Sequence, residues 1–151
     1  MFDLFKKREI LKEYNLSDDE LDLRVTRVSD NQYMYGIYLK GTNKQVGYCD
    51  LRLGHNQSLY YFGNIGYRVL PAYRGHEYAY KACKMLFSFA KKINMDYLII
   101  TVSPENIPSV KTCQKLGGEC VEVAKVPPWH SLYSMNERTK MIFKYNLRNY
   151  K

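Results

Sequence analysis

The sequence predicts a mixed α/β (α+β) domain, and three stretches carry that prediction. Residues 21–70 hold alternating or strongly apolar segments separated by turn residues, which read as antiparallel strands. A periodic helix follows, in which Ala79, Ala82, Cys83, Leu86, Phe87 and Ala90 recur at the three-and-four spacing of one face. Beyond it, Tyr97-Leu-Ile-Ile-Thr-Val102 is a mostly apolar run without alternation, the pattern of a strand covered on both faces. The order is antiparallel strands, then β-α-β-α-β-β, which gives a mixed, mostly antiparallel sheet with helices against it.

Taken in order, residues 3–14 form a short helix with Leu4, Phe5, Ile10 and Leu11 available for packing. Ser17-Asp-Asp-Glu20 has the form of a capping box, so a turn or a second short helix follows. Leu21, Leu23 and Val25 alternate with Asp22, Arg24 and Thr26, as in a half-buried strand. Residues 33–40 and 45–53 flank Gly41-Thr-Asn-Lys44 as a hairpin, and residues 59–70 read as a third antiparallel strand ending before Pro71. Gly63 and Gly66 are the positions where that strand bulges or admits another backbone. Ser103-Pro-Glu-Asn106 opens a second helix that Gly117-Gly118 ends. Residues 119–126 and 139–147 are closing strands, joined by an aromatic and polar loop over residues 127–136.

Composition sets the outer bounds. A chain of 151 residues with 46% hydrophobic and 25% charged content forms one globular domain with a buried core. No apolar run approaches the roughly 20 residues of a membrane span. Phe2-Asp3-Leu4-Phe5 precedes Lys6-Lys7-Arg8, the reverse of a signal peptide. The 4 cysteines, Cys49, Cys83, Cys113 and Cys120, form no close pairs, which indicates a reducing cytoplasm and neither a disulfide frame nor a metal site. The net charge of +8 admits a lysine-rich solvated surface or attraction to polyanions, whether cofactor phosphates or nucleic acid.

The chemistry sits where the third strand meets the long helix. A strand feeding Tyr73-Arg74-Gly75-His76-Glu77 into a helix start aims unpaired backbone N–H groups at one spot, and such a spot binds phosphate. The wording there, V-L-P-A-Y-R-G-H-E-Y-A, resembles the acetyl-CoA motif of the GNAT superfamily of N-acetyltransferases, Arg/Gln-x-x-Gly-x-Gly/Ala. Arg74 takes the first place, Glu77 that of the first glycine, and Ala79 that of the last small residue. Further on, Asn106-Ile-Pro-Ser109-Val-Lys-Thr-Cys113-Gln-Lys-Leu-Gly117-Gly118 is similar to the next motif of that family, Asn-x-x-Ser/Ala-x-x-x-Tyr-x-Lys-x-Gly-Phe. The resemblance covers residues 22–147, with residues 1–20 as an N-terminal helical segment.

The resemblance implies a GNAT-like fold with central splayed parallel strands and helices on both faces. It implies acetyl-CoA as co-substrate, without a metal, and an amine of a small molecule or protein as acceptor. The pantetheine arm would pair with the backbone of Tyr67, Arg68 and Val69, and the pyrophosphate would rest on Gly75, His76, Glu77, Tyr78, Ala79 and Tyr80, below Arg74. Asn106 and Ser109 would meet the arm from the second helix. The sequence departs from the family at three points. Glu77 replaces a glycine, either turned toward the pyrophosphate or outward as a favourable acid in a first helical turn. Cys113 replaces the usual tyrosine acid; it is either the proton donor, with an ordinary pKa of about 8.5, or a small apolar residue on a helix face. Thr101 stands where ribosomal-protein acetyltransferases carry a glutamate, which leaves Asp50, Glu105 and His130 as bases by residue type alone.

The acceptor is expected against the hairpin, Cys49-Asp50 and the loop over 127–136, with Trp129, His130 and Tyr133 forming either its wall or a cap over the sheet. Two further readings stay open: a degenerate domain that binds acyl-CoA or a macromolecular partner without turnover, and an acceptor linked to nucleic acid. A homodimer is also admitted.

Overall fold

A computed structural model describes residues 11–150 of the chain. Antiparallel pairing builds a sheet in the order β1 (Leu16–Ser17), β2 (Leu21–Ser29), β3 (Gln32–Leu39), β4 (Gln45–Arg52), β5 (Ile65–Val69). A second antiparallel sheet has the order β6 (Tyr97–Val102), β8 (Thr139–Asn146), β7 (Glu119–Lys125). Helices α1 (Gln57–Phe62), α2 (Tyr78–Lys92), α3 (Ile107–Lys115) and the short α4 (Ser131–Ser134) pack around these sheets among the described residues.

The two sheets meet at Asn64, which is fully buried. Its backbone N–H donates to the Ile99 carbonyl at 2.6 Å, and its Oδ1 accepts from the Ile99 N–H at 2.9 Å. Its Nδ2 donates to the carbonyls of Arg52 (2.9 Å) and Gly54 (2.8 Å). Past this pin β5 and β6 separate. Ile65, Gly66 and Tyr67 line the resulting gap opposite Ile100, Thr101 and Val102, so the two strands run in the same direction as they splay.

Helix α2 forms because one face of its sequence is apolar at helical spacing. Ala82, Cys83, Leu86, Phe87 and Ala90 have no exposed surface. They pack with Leu21, Leu23, Ile37 and Leu51 of the first sheet and Leu98, Ile100 and Phe143 of the second in one core. Full burial of residues the size of Leu86 and Phe87 contributes about 1.5–3 kcal/mol each, so the helix is what holds the sheets together. The opposite face of the second sheet buries Ile99, Ala124 and Ile142 under Tyr60 and Tyr61 of α1, which places helices on both faces there.

Three local expectations change. The strand expected over 59–70 is shorter, because Asn56 caps a helix by accepting from the Leu59 N–H at 2.8 Å and Gly63 ends it at φ 82°. Leu59-Tyr-Tyr-Phe62 lacks alternation, and a capped turn wins over an unpaired strand. Nor does β5 bulge at Gly63 or Gly66: its register against β4 is continuous from Leu51↔Ile65 to Gly47↔Val69. Gly63 serves close approach instead, since a Cβ there would sit 3.1 Å from the Ile99 oxygen and the Thr101 nitrogen. Finally, Ser17 lies in β1, and Asp18 rather than a helical capping box organises the turn, accepting from the N–H groups of Glu20 (2.8 Å) and Leu21 (2.7 Å). The helix expected over 3–14 lies, through residue 10, outside the described residues.

Candidate active site

Strand parity decides which backbone groups face the gap. Arg52 N–H donates to the Asn64 carbonyl and Leu70 N–H to the Val46 carbonyl, so even-numbered residues of this segment turn toward β4. In an antiparallel pair each residue presents N–H and C=O on the same side, so Ile65, Tyr67 and Val69 present theirs to the open edge. That edge is a row of peptide groups ready to pair with an extended amide-containing chain.

At the end of β5 the chain turns through Pro71–Tyr73 and enters α2. Helix α2 has no capping side chain and no acid in its first turn. Its first internal bond from Glu77 is Lys81 N–H to the Glu77 carbonyl, which leaves the N–H groups of Tyr78, Ala79 and Tyr80 without a carbonyl partner among the described residues. These donors, with the positive end of the helix dipole, form an anion seat. Arg74 is held beside it by donation from Nε to the Val69 carbonyl at 3.1 Å, and neither Arg68 nor Arg74 makes an ion pair among the described residues.

A cleft of about 620 Å³ runs along this edge. Of the residues expected to hold the cofactor, Tyr67, Arg68, Val69, Arg74, Gly75, Glu77, Tyr78, Ala79, Asn106 and Ser109 line it. His76 stacks on Tyr78 with ring centroids 5.3 Å apart, outside the lining. Tyr80 faces another hollow and lies with its ring centroid 4.5 Å from Lys115 Nζ. Asn106 caps α3 with its own side chain, accepting from the Ser109 N–H at 3.4 Å. Tyr73, Pro108 and Thr112 also line the cleft and carry no motif signal.

Glu77 explains itself through its backbone. It sits at φ 63°, the left-handed region that a glycine occupies without strain, and its carboxylate pairs with Lys115 of α3. The carboxylate of this cleft-lining residue is therefore held by a cation of α3. Cys113 is fully buried and lines neither this cleft nor the next, and burial pushes its thiol up to about 11. The Tyr145 hydroxyl donates to its carbonyl at 2.8 Å.

Tyr67 occupies the junction of the site. Its hydroxyl is buried and has no hydrogen-bond partner, and its ring borders both the cofactor cleft and a second cleft of about 230 Å³. Burial raises the phenol above its ordinary value, against a smaller downward pull from neighbouring Ser109 and Thr112, neither of which reaches hydrogen-bond geometry.

The second cleft opens between the splayed strands and the loop before β8. Arg52, Phe62, Thr101, Leu132, Glu137 and Lys140 shape it. The aromatic wall expected there is elsewhere. Trp129 is 61% exposed and lies over Tyr61, while Tyr133 stacks under Arg138 with the guanidinium 3.6 Å from the ring centroid. His130 is buried as a connector: Nδ1 accepts from the Leu132 N–H at 3.1 Å and Nε2 meets the Ser58 carbonyl at 2.9 Å, so both ring nitrogens are occupied. Asp50 is tied to Arg52 and to Gln32, each at 2.8 Å. Among the described residues no group of three or more His, Cys, Asp or Glu could hold a metal ion, and no helix is long and apolar enough to cross a membrane.

A family model described as an acetyltransferase (GNAT) domain matches residues 1–119. The chain belongs to the GNAT acetyltransferase family. It is 34% identical over 73 residues to the uncharacterized N-acetyltransferase YnaD of Bacillus subtilis strain 168, a match covering 45% of this chain and 43% of that protein. The fold is similar to a Vibrio cholerae protein assigned as a ribosomal-protein-serine acetyltransferase, with TM-score 0.69 at 15% identity over 90% of this chain and 99% of that one. It is also similar to the ribosomal α-N-protein acetyltransferase RimL, solved in complex with coenzyme A, with TM-score 0.66 at 11% identity over 85% and 95% of the two chains. At these identities the two structures show a shared fold.

Proposed function

We propose that this chain transfers the acetyl group of acetyl-CoA directly to a primary amine within a ternary complex, in the cytoplasm. The observation that carries the reading is the open edge of β5 leading into the uncapped start of α2. The peptide groups of Tyr67 and Val69 pair with the pantetheine amides, and the N–H groups from Gly75 to Tyr80 receive the pyrophosphate. Arg68 and Arg74, which make no ion pair among the described residues, supply positive charge beside it. The thioester then lies near Tyr67, where the two clefts meet.

An amine held neutral in the second cleft attacks the carbonyl carbon at short range, and a backbone N–H of the splayed edge stabilises the oxyanion. As the carbon–sulfur bond breaks, the thiolate takes a proton. The family motif points to Cys113 for that proton, but its sulfur lies outside both clefts, and we assign the role to Tyr67. The proton released by the new amide nitrogen returns to the phenolate through water.

The test is thiol release from acetyl-CoA in the presence of a panel of primary amines, with the acetylated product identified by mass. Transfer is expected in the wild type. Tyr67→Phe should lower kcat by about 10²-fold with acetyl-CoA affinity unchanged, while Cys113→Ser stays within a few-fold. The reverse pattern would return the role to Cys113, and a protein that binds acetyl-CoA but acetylates no amine would overturn the reading.

A further inference from the structure

The chain holds a single tryptophan, Trp129, and it lines neither cleft. With Gln57, Tyr60, Tyr61 and Pro127 it borders a separate hollow of about 250 Å³. This hollow shares no lining residue with either cleft, so acetyl transfer does not account for it.

Its aromatic walls stand at right angles. The ring centroids of Tyr60 and Tyr61 are 5.3 Å apart at an interplanar angle of 89°, and those of Tyr61 and Trp129 are 6.3 Å apart at 79°. Two perpendicular rings at such separations both come within about 6 Å of one point in the corner between them, the reach of a cation–π contact. Buried His130 packs against Tyr61 and Trp129, with centroids at 5.6 and 5.5 Å, and steadies the corner from within the fold. Trp129 is largely exposed, which leaves the corner open to a ligand.

Charge narrows the class of ligand. Arg24, Arg138 and Lys144 take the faces of Tyr38, Tyr133 and Tyr97, but among the described residues no lysine or arginine lies over Tyr60, Tyr61 or Trp129. The charge known to touch this trio is negative: the Tyr60 hydroxyl donates to the Glu122 carboxylate, which makes no ion pair among the described residues. That bond pushes the phenol up to about 12, so the ring stays neutral and its face stays attractive to a cation. A primary ammonium would bring three N–H donors, and the lining holds no carboxylate to receive them. A fully alkylated ammonium carries the same charge with no donor to satisfy.

We propose that the corner of Tyr60, Tyr61 and Trp129 binds an alkylated ammonium group, whether the head of a choline-like small molecule or a methylated lysine in a peptide. The rings supply the attraction, and Glu122 behind Tyr60 strengthens it.

The test uses the full chain, whose lone tryptophan reports from the site itself. Its fluorescence is followed while choline, the neutral carbon isostere 3,3-dimethyl-1-butanol, or a peptide carrying trimethyl-lysine or unmodified lysine is added. Choline should give a saturable change and bind about 10-fold or more tightly than the isostere, and trimethyl-lysine should outbind lysine by a similar factor. Preference for choline or for the trimethylated peptide identifies the source of the group. Calorimetry on Trp129→Leu, a substitution at an exposed side chain that leaves the core packed, should show about 10-fold weaker choline binding or none. Glu122→Gln, which keeps an acceptor for Tyr60, should weaken choline and leave the isostere unchanged. Equal affinity for choline and its isostere would overturn the proposal and make the corner a general apolar seat. So would choline binding that survives Trp129→Leu intact, or the absence of saturable binding of every probe by both fluorescence and calorimetry.

Discussion

The two clefts on either side of Tyr67 are built by different physical means. The first cleft offers a ligand mainly backbone: the open edge of β5 and the free N–H groups at the start of α2, with Arg68 and Arg74 in its lining. The second cleft offers mainly side chains, brought from β4, α1, β6, α4, β8 and the loop before it. A backbone seat tolerates many side chains so long as the conformation is kept. A side-chain seat changes its ligand with a single substitution.

What the two clefts share is the Asn64 pin, and breaking it gives the largest effect. Asn64→Leu removes three side-chain hydrogen bonds, to Ile99 N–H and to the carbonyls of Arg52 and Gly54, inside a fully buried site. At about 1–3 kcal/mol for each group left unsatisfied, the loss should be about 3 kcal/mol or more, read from the urea midpoint. Both clefts should fail together, in cofactor binding and in amine binding. Asn106→Ala, which removes a helix cap at a residue lining both clefts, should cost about 1 kcal/mol, well below the Asn64 variant.

A smaller effect follows from the place of Cys113 in the core. Burial raises its pKa in the folded protein above the ordinary thiol range to about 11, so the folded state holds its proton more tightly than the unfolded chain. The resulting stability is fully present below pH 9 and is lost as pH rises through about 11, a decrement of about 2–3 kcal/mol from this group. Buried Cys49 and Cys83 shift in the same direction and add to it. Comparing urea midpoints at pH 8 and pH 11, the wild type should lose more than Cys113→Ala. Equal losses would mean that the thiol is not held in a water-excluded core.

The smallest effect tests the backbone seat. Glycine relieves the left-handed conformation at position 77 by about 1 kcal/mol, whereas alanine keeps the strain and both lose the exposed pair with Lys115, worth about 0–1 kcal/mol. Glu77→Gly should therefore melt at or above the wild-type temperature and Glu77→Ala below it. Coincident melting temperatures for the two variants would contradict the role given to the backbone at this position.

The same contrast explains how much was legible in the sequence. The cofactor cleft comes mainly from two contiguous segments, and its turn and helix start depend on local residue types, so Arg74, Gly75 and Asn106 could be recognised in place. The left-handed backbone of Glu77 was hidden because the glycine that marks it is absent. The second cleft depends on long-range packing. Nothing local says that Glu137 and Lys140 face Arg52 and Tyr67, or that His130 spends both ring nitrogens as a connector. Tyr67 was expected as a backbone contact only, because the burial of its hydroxyl without a partner emerges when α3 packs beside it. The pin at Asn64 is equally silent, since inside a run that reads as one strand nothing local shows that an asparagine side chain bridges two sheets. Leu59-Tyr-Tyr-Phe62 misled in the other direction, its β-favouring residues being overridden by the Asn56 cap and Gly63.

The central claim is that the edge of β5 and the start of α2 form an acetyl-CoA seat. Calorimetric titration of acetyl-CoA into the purified, ligand-free protein tests it most directly. The account predicts saturable one-to-one binding in the micromolar range, weakened by added salt because phosphate meets Arg68, Arg74 and the helix dipole. No saturable binding to protein that is folded by circular dichroism would contradict it.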